Sequence, residues 1–502
     1  MTGTYVDLKT EKFLQWLEAT PGFKISEKIS LVNSSEGQFG RFLIAKELIN
    51  RGEVLFEVPR DRLFNVLNCS LSQDGAIREK LVSSVGHWEG LVLALLHEIK
   101  LVGPESKWWA YLQVLPESGG METLMYWSDE ESGMLRPSSI IDRIGRHEAQ
   151  EMYKRIMSLS NELGLTEFES TTWDEFVDAA SVIMAYSFDV EVIQAQKPVR
   201  KKTTTGNDDF EDEDAEAGTV KTDGYSKSMV PLADMLNADT HLCNAHLIHS
   251  KKFLKMKAIA DIPAGDQIYN FYGEHANAEL LRRYGYVEWG GSKYDTAEIP
   301  LRAIVQATAE YTGASLDLVR RILNVLNESS KIEEFLESEP LVLNGYDCGV
   351  DGTISPECIT VLQILVAILA LPDVNSFDDA VLENRLLKTT QIGLQLVNGS
   401  RITVSVVHLW KRIVNLHLEA YPSHAFREVT PDHFQLKGNE LRQQMAQCVL
   451  ESEIRCLQNC FLSIERDMNL LRDSTILNML QKRTIDDSNG SNPEPPTKRI
   501  KN

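Results

Sequence analysis

The sequence is short of positive charge, of paired cysteines and of long apolar runs. Lysine and arginine total 51 against 73 aspartates and glutamates, a formal net charge of −22 over 502 residues. A nucleic-acid binder needs a basic footprint, so direct nucleic-acid binding is not expected. The same charge suits a basic protein partner. There are 7 cysteines: Cys69, Cys243, Cys348, Cys358, Cys448, Cys456 and Cys460. Their number is odd, their spacing scattered, and no C-x-x-C occurs. That argues against a structural zinc and fits a reducing compartment. No apolar run approaches the ~20 residues that a membrane span needs. Leu362 to Ala370 is too short and reads as a buried helix. Met1-Thr2-Gly3-Thr4 carries no secretory pattern. The expectation is a protein with neither membrane span nor metal, and a monomer.

What is present is ample core material, 43% hydrophobic, in a chain long enough for two or three domains. Glu11 to Ala19 places Phe13, Leu14, Trp16 and Leu17 at helical spacing, a short helix within a 1–23 leader. A glycine-containing turn at Glu36, Gly37, Gln38, Phe39 and Gly40 feeds an apolar strand through Ala45, and a second strand runs from Glu53 to Pro59. Residues 74–187 read as helical. They include the aromatic motif Ser106 to Pro116 and a helix start at Ser128, with Glu131 at the capping-box position. Trp173 to Phe188 is a further helix, capped by Thr171 or Thr172. Residues 196–225 are a charge-block insertion, basic then acidic, too poor in apolar residues to order. After Trp289 apolar residues recur at three-and-four spacing over 301–327, 359–371, 378–397, 402–420 and 440–483, so 274–484 is expected to be an all-α domain. Residues 485–502 form a polar tail expected to be disordered. It ends Lys498-Arg499-Ile500-Lys501-Asn502, and with Lys482-Arg483 it reads as a nuclear import signal.

The stretch from Ser228 to Trp289 organises the rest. Asp234-Met235-Leu236-Asn237 precedes an alternating strand (Phe253, Leu254, Met256, Ala258), the turn Ile262-Pro263-Ala264-Gly265-Asp266, and the aromatic run Ile268-Tyr269-Asn270-Phe271-Tyr272-Gly273, read as another strand. Taken alone, these residues fit a hairpin with aromatic packing. Their order, Asp-x-x-Asn, then Pro-x-Gly-Asp-x-Ile, then Tyr-Gly, resembles the C-terminal half of a SET domain. The tail Asn277-Ala278-Glu279-Leu280 and Arg283-Tyr284-Gly285-Tyr286 resembles the split-SET branch typified by the Rubisco large-subunit methyltransferase, and most of all its fungal ribosomal lysine methyltransferases. Gly40-Arg41, Gly52-Glu53 and Val58-Pro59 resemble the N-terminal strands of the same domain.

The resemblance implies an α+β fold, with a SET domain over 24–273 split by the helical insert and followed by a helical substrate-binding domain. It implies a protein-lysine N-methyltransferase using S-adenosylmethionine, with Tyr272 as the catalytic tyrosine. Glu36, Gly37, Gln38, Phe39, Tyr186, Asn237, Ala238, Tyr272 and Tyr284 would bind the cofactor, and Trp108, Ser187 and Tyr284 the substrate peptide. Two positions depart from the pattern. Ala185-Tyr186-Ser187-Phe188 stands where many relatives have Ser-Arg, and Ala238 stands where most have a histidine after the asparagine. Both variants resemble the nuclear branch acting on a large-subunit ribosomal protein, so the expected partner is a basic ribosomal protein and the expected location the nucleus, with the cytoplasm as a second site. A nuclear non-ribosomal substrate, a histidine acceptor and a catalytically silent peptide-binding module are the alternatives. The two departures motivate the silent module; intact Tyr272, Asn237 and Gly40 argue against it. His241, His246 and His249 have no metal-ligand spacing.

Overall fold

The computed structural model describes residues 4–34, 40–192, 219–337, 339–426 and 436–481. The chain forms two compact units, Met1–Asp295 with Ser423–Ser452, and Thr296–Pro422 with Glu453–Asn502. The boundary thus lies beyond the expected 273. Residues 274–295 and 423–452 join the first unit because polar contacts tie them there. Asn277 Nδ2 donates to Ser452 Oγ at 3.1 Å, and Arg442 pairs with Glu122 at 2.6 Å and Glu131 at 2.9 Å.

The strands of the first unit are β1 (Thr4–Tyr5), β2 (Lys24–Ile25), β3 (Ile29–Ser34), β4 (Arg41–Ala45), β5 (Val54–Pro59), β6 (Ser187–Glu191), β7 (Tyr225–Met229), β8 (Ala245–His249), β9 (Phe253–Ala258) and β10 (Gln267–Ile268). They make two four-stranded sheets, ordered β1-β3-β4-β10 and β2-β5-β9-β8, and the hairpin β6-β7. All these pairings are antiparallel. β9 shows why. Its alternation buries Leu254, Met256 and Ala258 and turns Lys255 and Lys257 outward. Gly265, at φ +91°, makes the turn into β10, which an L side chain would strain.

The helices are α1 (Leu8–Ala19), α2 (Gly75–Ser83), α3 (His87–His97), α4 (Trp109–Leu112), α5 (Asp129–Gly133), α6 (Arg146–Glu162), α7 (Trp173–Tyr186), α8 (Val220–Asp223) and α9 (Asn277–Tyr284). α1 is capped by Asp7, α5 by the expected Ser128–Glu131 capping box, and α7 by a Thr172–Glu175 box. Arg41 of β4 fastens α1 to the sheet, bonding Thr10 Oγ1 at 2.8 Å and Asp7 Oδ2 at 3.0 Å.

Two expectations need correction here. The aromatic run is not a strand: pairing with β4 stops at Ile268. From there the chain pairs with the Asn237 segment instead, through a parallel bridge Ala238↔Asn270 and an Asn270 N to Asn237 O bond of 2.8 Å. The charge-block insertion ends early. Residues 219–225 already hold α8 and the start of β7, because Val220 is buried, His87 bonds Asp223 at 3.0 Å and His87 stacks on Tyr225 at 4.1 Å. Residues 196–218 and the basic tail lie outside the described residues.

The second unit is mostly helical, with the two-stranded pair Thr296–Pro300 and Gly345–Gly349 at its start. Pro356–Leu369 is buried on nearly all sides, as its continuous apolar sequence requires. The expected helix over 301–327 breaks at Gly313, φ +74°. The long helix Gly438–Asp467, whose residues from Glu453 onward belong to this unit, stops short of 483 because Asn469–Leu471 pairs in parallel with Arg401–Thr403. Among the described residues no helix is long and apolar enough to cross a membrane.

Candidate active site

The site is built where β7 leaves its hairpin and meets the aromatic run. Met229 exchanges backbone bonds with Phe64, at 2.8 and 3.0 Å, which fixes the end of β7. The chain then turns sharply at Leu232. This bulky residue, 1% exposed, sits at φ +77° and ψ −36°, a conformation L residues rarely adopt. Val230 O accepts from Ala233 N at 3.0 Å and from Asp234 N at 3.2 Å, closing a short 3-10 turn over Ala233–Met235. The turn delivers Leu236 O and Asn237 to the segment carrying Tyr272.

Tyr272 donates its hydroxyl to Leu236 O at 2.5 Å. Its ring packs on Tyr284 (centroids 4.8 Å apart) and lies edge-on to Tyr286 (6.5 Å), and Tyr284 and Tyr286 are 6.3 Å apart. Burial drives the Tyr272 phenol well above its ordinary value, and the hydroxyls of Tyr186 and Tyr284 and the Asp234 carboxyl add to the rise. The oxygen is therefore a neutral hydroxyl whose proton is committed to Leu236, leaving lone pairs to accept a bond. Tyr284 reaches this cluster because α9 ends at Gly285, φ +74°, where a Cβ would stand 2.7 Å from Thr123 N.

Around the tyrosines are two buried amide atoms with no protein hydrogen-bond partner, Asn237 Nδ2 and Asn270 Oδ1. Unpaired buried polar atoms are costly, and two on neighbouring segments point to a ligand that completes them. An amide donor and an amide acceptor suit the carboxylate and amino groups of a methionine-like ligand, so these residues fit S-adenosylmethionine.

The structure brings together Tyr272, Tyr284, Asn237 and Ala238, the last through its bridge to Asn270. Tyr186 ends α7 and faces the same cluster. Burial and the Asp234 carboxyl push its phenol up to about 12, against the opposing pull of Arg41. Ser187 opens β6 and pairs with Met229. Glu36, Gly37, Gln38 and Phe39 lie outside the described residues, between β3 and β4, which pair in the register Asn33↔Arg41. Trp108 is a correction. It is 2% exposed and packs edge-on against Phe64 at 5.5 Å and beside Trp16 at 5.9 Å, so its ring belongs to the core rather than to a peptide cleft. Three neighbours of the site went unassigned in the sequence: Asn270, Tyr286 and Asp234. The Asp-x-x-Asn spacing was the available sign of the last.

Residues 40–273 match the SET domain family. Over 499 residues the chain is 36% identical to ribosomal lysine N-methyltransferase 4 of Saccharomyces cerevisiae, covering 97% of this chain and 98% of that protein. It is 26% identical to ribosomal lysine N-methyltransferase 4 of Schizosaccharomyces pombe over 331 residues, 57% of this chain and 69% of that one. It is 31% identical to the N-lysine methyltransferase SETD6 of Rattus norvegicus over 309 residues, covering 60% and 59%. The solved structure of Rubisco LSMT bound to AdoMet matches with a TM-score of 0.59 at 17% identity, over 96% of this chain and 99% of that one, a likeness of fold. The chain belongs to the SET-domain family of S-adenosylmethionine-dependent protein-lysine N-methyltransferases.

Proposed function

We propose that this enzyme methylates a lysine of a large-subunit ribosomal protein. The end-to-end likeness to a ribosomal lysine N-methyltransferase, 36% over 97% of the chain, carries the reading. The net charge of −22 supports it, since ribosomal proteins are basic. When bound, S-adenosylmethionine supplies a methyl group on a positively charged sulfur, open to in-line attack. The lysine nitrogen would take that methyl group, the neutral thioether would leave, and the surplus proton would pass to solvent. The nitrogen attacks only when neutral, and free lysine titrates near 10.4. Walls formed by Tyr272, Tyr284 and Tyr286 strip water from the ammonium and favour the neutral amine. The Tyr272 hydroxyl, held by Leu236 O, accepts a bond from the amine and aims its lone pair. We further propose a nuclear location, on the basic residues Lys482, Arg483, Lys498 and Arg499. A fluorescent fusion lacking 482–502 that still concentrates in the nucleus would remove that support.

The test is incubation with radiolabelled S-adenosylmethionine and ribosomal subunits from cells lacking the protein. One small basic large-subunit band is expected. Tyr272→Phe is expected to lower its rate by about 10²–10³-fold, the usual cost of an oriented polar group at a reacting centre. Label on a non-ribosomal protein alone would overturn the substrate.

A further inference from the structure

Beneath the strained turn at Leu232 lies a second buried polar contact that the chemistry above leaves unused. Tyr111 of α4 is fully buried, and its hydroxyl donates to Asp234 Oδ2. Its ring is clamped between Phe13 (5.8 Å) and Trp16 (6.4 Å, stacked) of α1. Asp234 is 5% exposed; Tyr111 is the one side chain bonded to it, and the backbone amides of Leu232 and of Asp234 itself also act on the carboxyl. A carboxyl in that setting is out of water, and Tyr111 is its side-chain donor from outside the turn. Burial pushes it well above the ordinary carboxylate range, and the Tyr111 phenol rises too, chiefly by burial and then by the nearby carboxyl.

The position of Asp234 gives the contact its meaning. It lies inside the 3-10 turn Ala233–Met235, two residues past Leu232 and two before Leu236. Leu236 O holds the Tyr272 hydroxyl and Asn237 O holds Asn270 N. A left-handed leucine persists only where its surroundings over-determine it. The side-chain bond from outside the turn is the Tyr111 hydroxyl.

We propose that Tyr111 and Asp234 are positioning residues for methyl transfer, a buried tyrosine–carboxyl pair by which the helical insert sets the turn that aims Tyr272. The proposal rests on Tyr272 being the site tyrosine and not on which protein is methylated. It predicts a loss in the chemical step rather than in binding, because the pair touches neither amine nor cofactor and acts through the Leu236 carbonyl.

The experiment compares the full chain with Tyr111→Phe, Asp234→Ala, Asp234→Asn and the Tyr111→Phe/Asp234→Ala double variant. Phenylalanine keeps the ring between Phe13 and Trp16, so the fold is retained. Tyr111→Phe should lower kcat about tenfold or more, since small misplacements of a catalytic group are expensive. The KM for the substrate and the calorimetric Kd for S-adenosylmethionine should stay within about threefold. Asp234→Ala should match it, and the double variant should be no worse than either single one. Asp234→Asn can still accept from Tyr111 and should keep more of kcat than Asp234→Ala. Unchanged kcat in Tyr111→Phe, a loss confined to KM or Kd, or losses that multiply in the double variant would each overturn the proposal. Hydrogen exchange supplies an arm that needs no substrate. In Tyr111→Phe, amides of 230–238 and 268–273 should exchange about tenfold faster while β9 keeps its protection. Unchanged protection, or protection lost equally in β9, also overturns it. Absence of label with the unaltered enzyme would count against the ribosomal substrate alone, and the exchange result would still decide the role of Tyr111.

Discussion

Tyr272 is buried in a cluster of tyrosines, three of which have phenols raised above the ordinary value. Burial first, then neighbouring phenols, carries Tyr272 and Tyr286 well above the ordinary tyrosine value, and burial with the Asp234 carboxyl takes Tyr186 up to about 12. Tyr272, Tyr286 and Tyr186 therefore stay protonated in the working range, and the pH dependence belongs to the substrate. The kcat/KM profile reports free enzyme and free substrate, and the amine must be deprotonated. It should rise about tenfold per pH unit between roughly pH 7 and 9, with no descending limb from a tyrosine, whereas kcat should level off earlier because the site lowers the bound lysine's pKa. A descending limb in that interval, measured with a peptide at sub-saturating concentration, would show that one of these phenols titrates. Asn237 makes a different prediction. Its side-chain nitrogen has no protein partner, so Asn237→Ala should weaken S-adenosylmethionine binding about tenfold, near 1.4 kcal/mol, with little change in melting temperature. Equal affinity would place the cofactor elsewhere.

The elements were unevenly legible in the sequence, and the reason is range. Caps and turns are local, so Ser128, Thr172 and Gly265 announced themselves. Pairings between distant segments are not. Tyr269 to Tyr272 has strand composition, yet its partner is the Asn237 segment in parallel, a choice no neighbour dictates. The periodicity through Met468 and Leu471 reads as continuous helix, but pairing with Arg401–Thr403 takes those residues. Trp108 and Tyr111 share one aromatic motif, and spacing does not say which phenol or indole finds a polar partner. α9 carries a prediction at this scale. Glu279, 6% exposed, bonds Arg282 at 2.8 Å and Arg283 at 3.3 Å, with Arg143 at 3.8 Å. Burial raises its carboxyl, but Arg282, then Arg143 and Arg283, outweigh burial and hold it below the ordinary glutamate range. A carboxyl lowered in the folded state stabilises fully above its unfolded value, about 4.3, and loses that contribution as pH falls through the folded value. Thermal melts should therefore show Glu279→Gln less stable than the parent near neutral pH, with the gap closing in acid below about pH 4. A gap that is constant with pH would mean the arginine cluster contributes nothing through charge.

At the scale of the whole molecule, charge is the feature that reaches beyond the site. Acidic residues exceed basic ones by 22, and part of the excess lies in the run from Asp208 to Glu216, outside the described residues. A field of this sign raises the encounter rate with a basic protein and is screened by salt, with a Debye length of about 8 Å at physiological ionic strength. Chemistry beside the tyrosine cluster is screened far less, because its groups are buried. The two steps should therefore separate. Raising salt from about 0.05 to 0.5 M should lower kcat/KM for a basic protein substrate about tenfold or more while kcat at saturation changes less than about twofold. A short neutral peptide bearing the same lysine should lose little of either. Replacing the acidic residues of 208–216 with serine should flatten the salt slope if that run contributes to steering, and should leave kcat intact. If kcat and kcat/KM fall together with salt, the acidity serves solubility and the substrate is recognised by contacts that the net charge does not report.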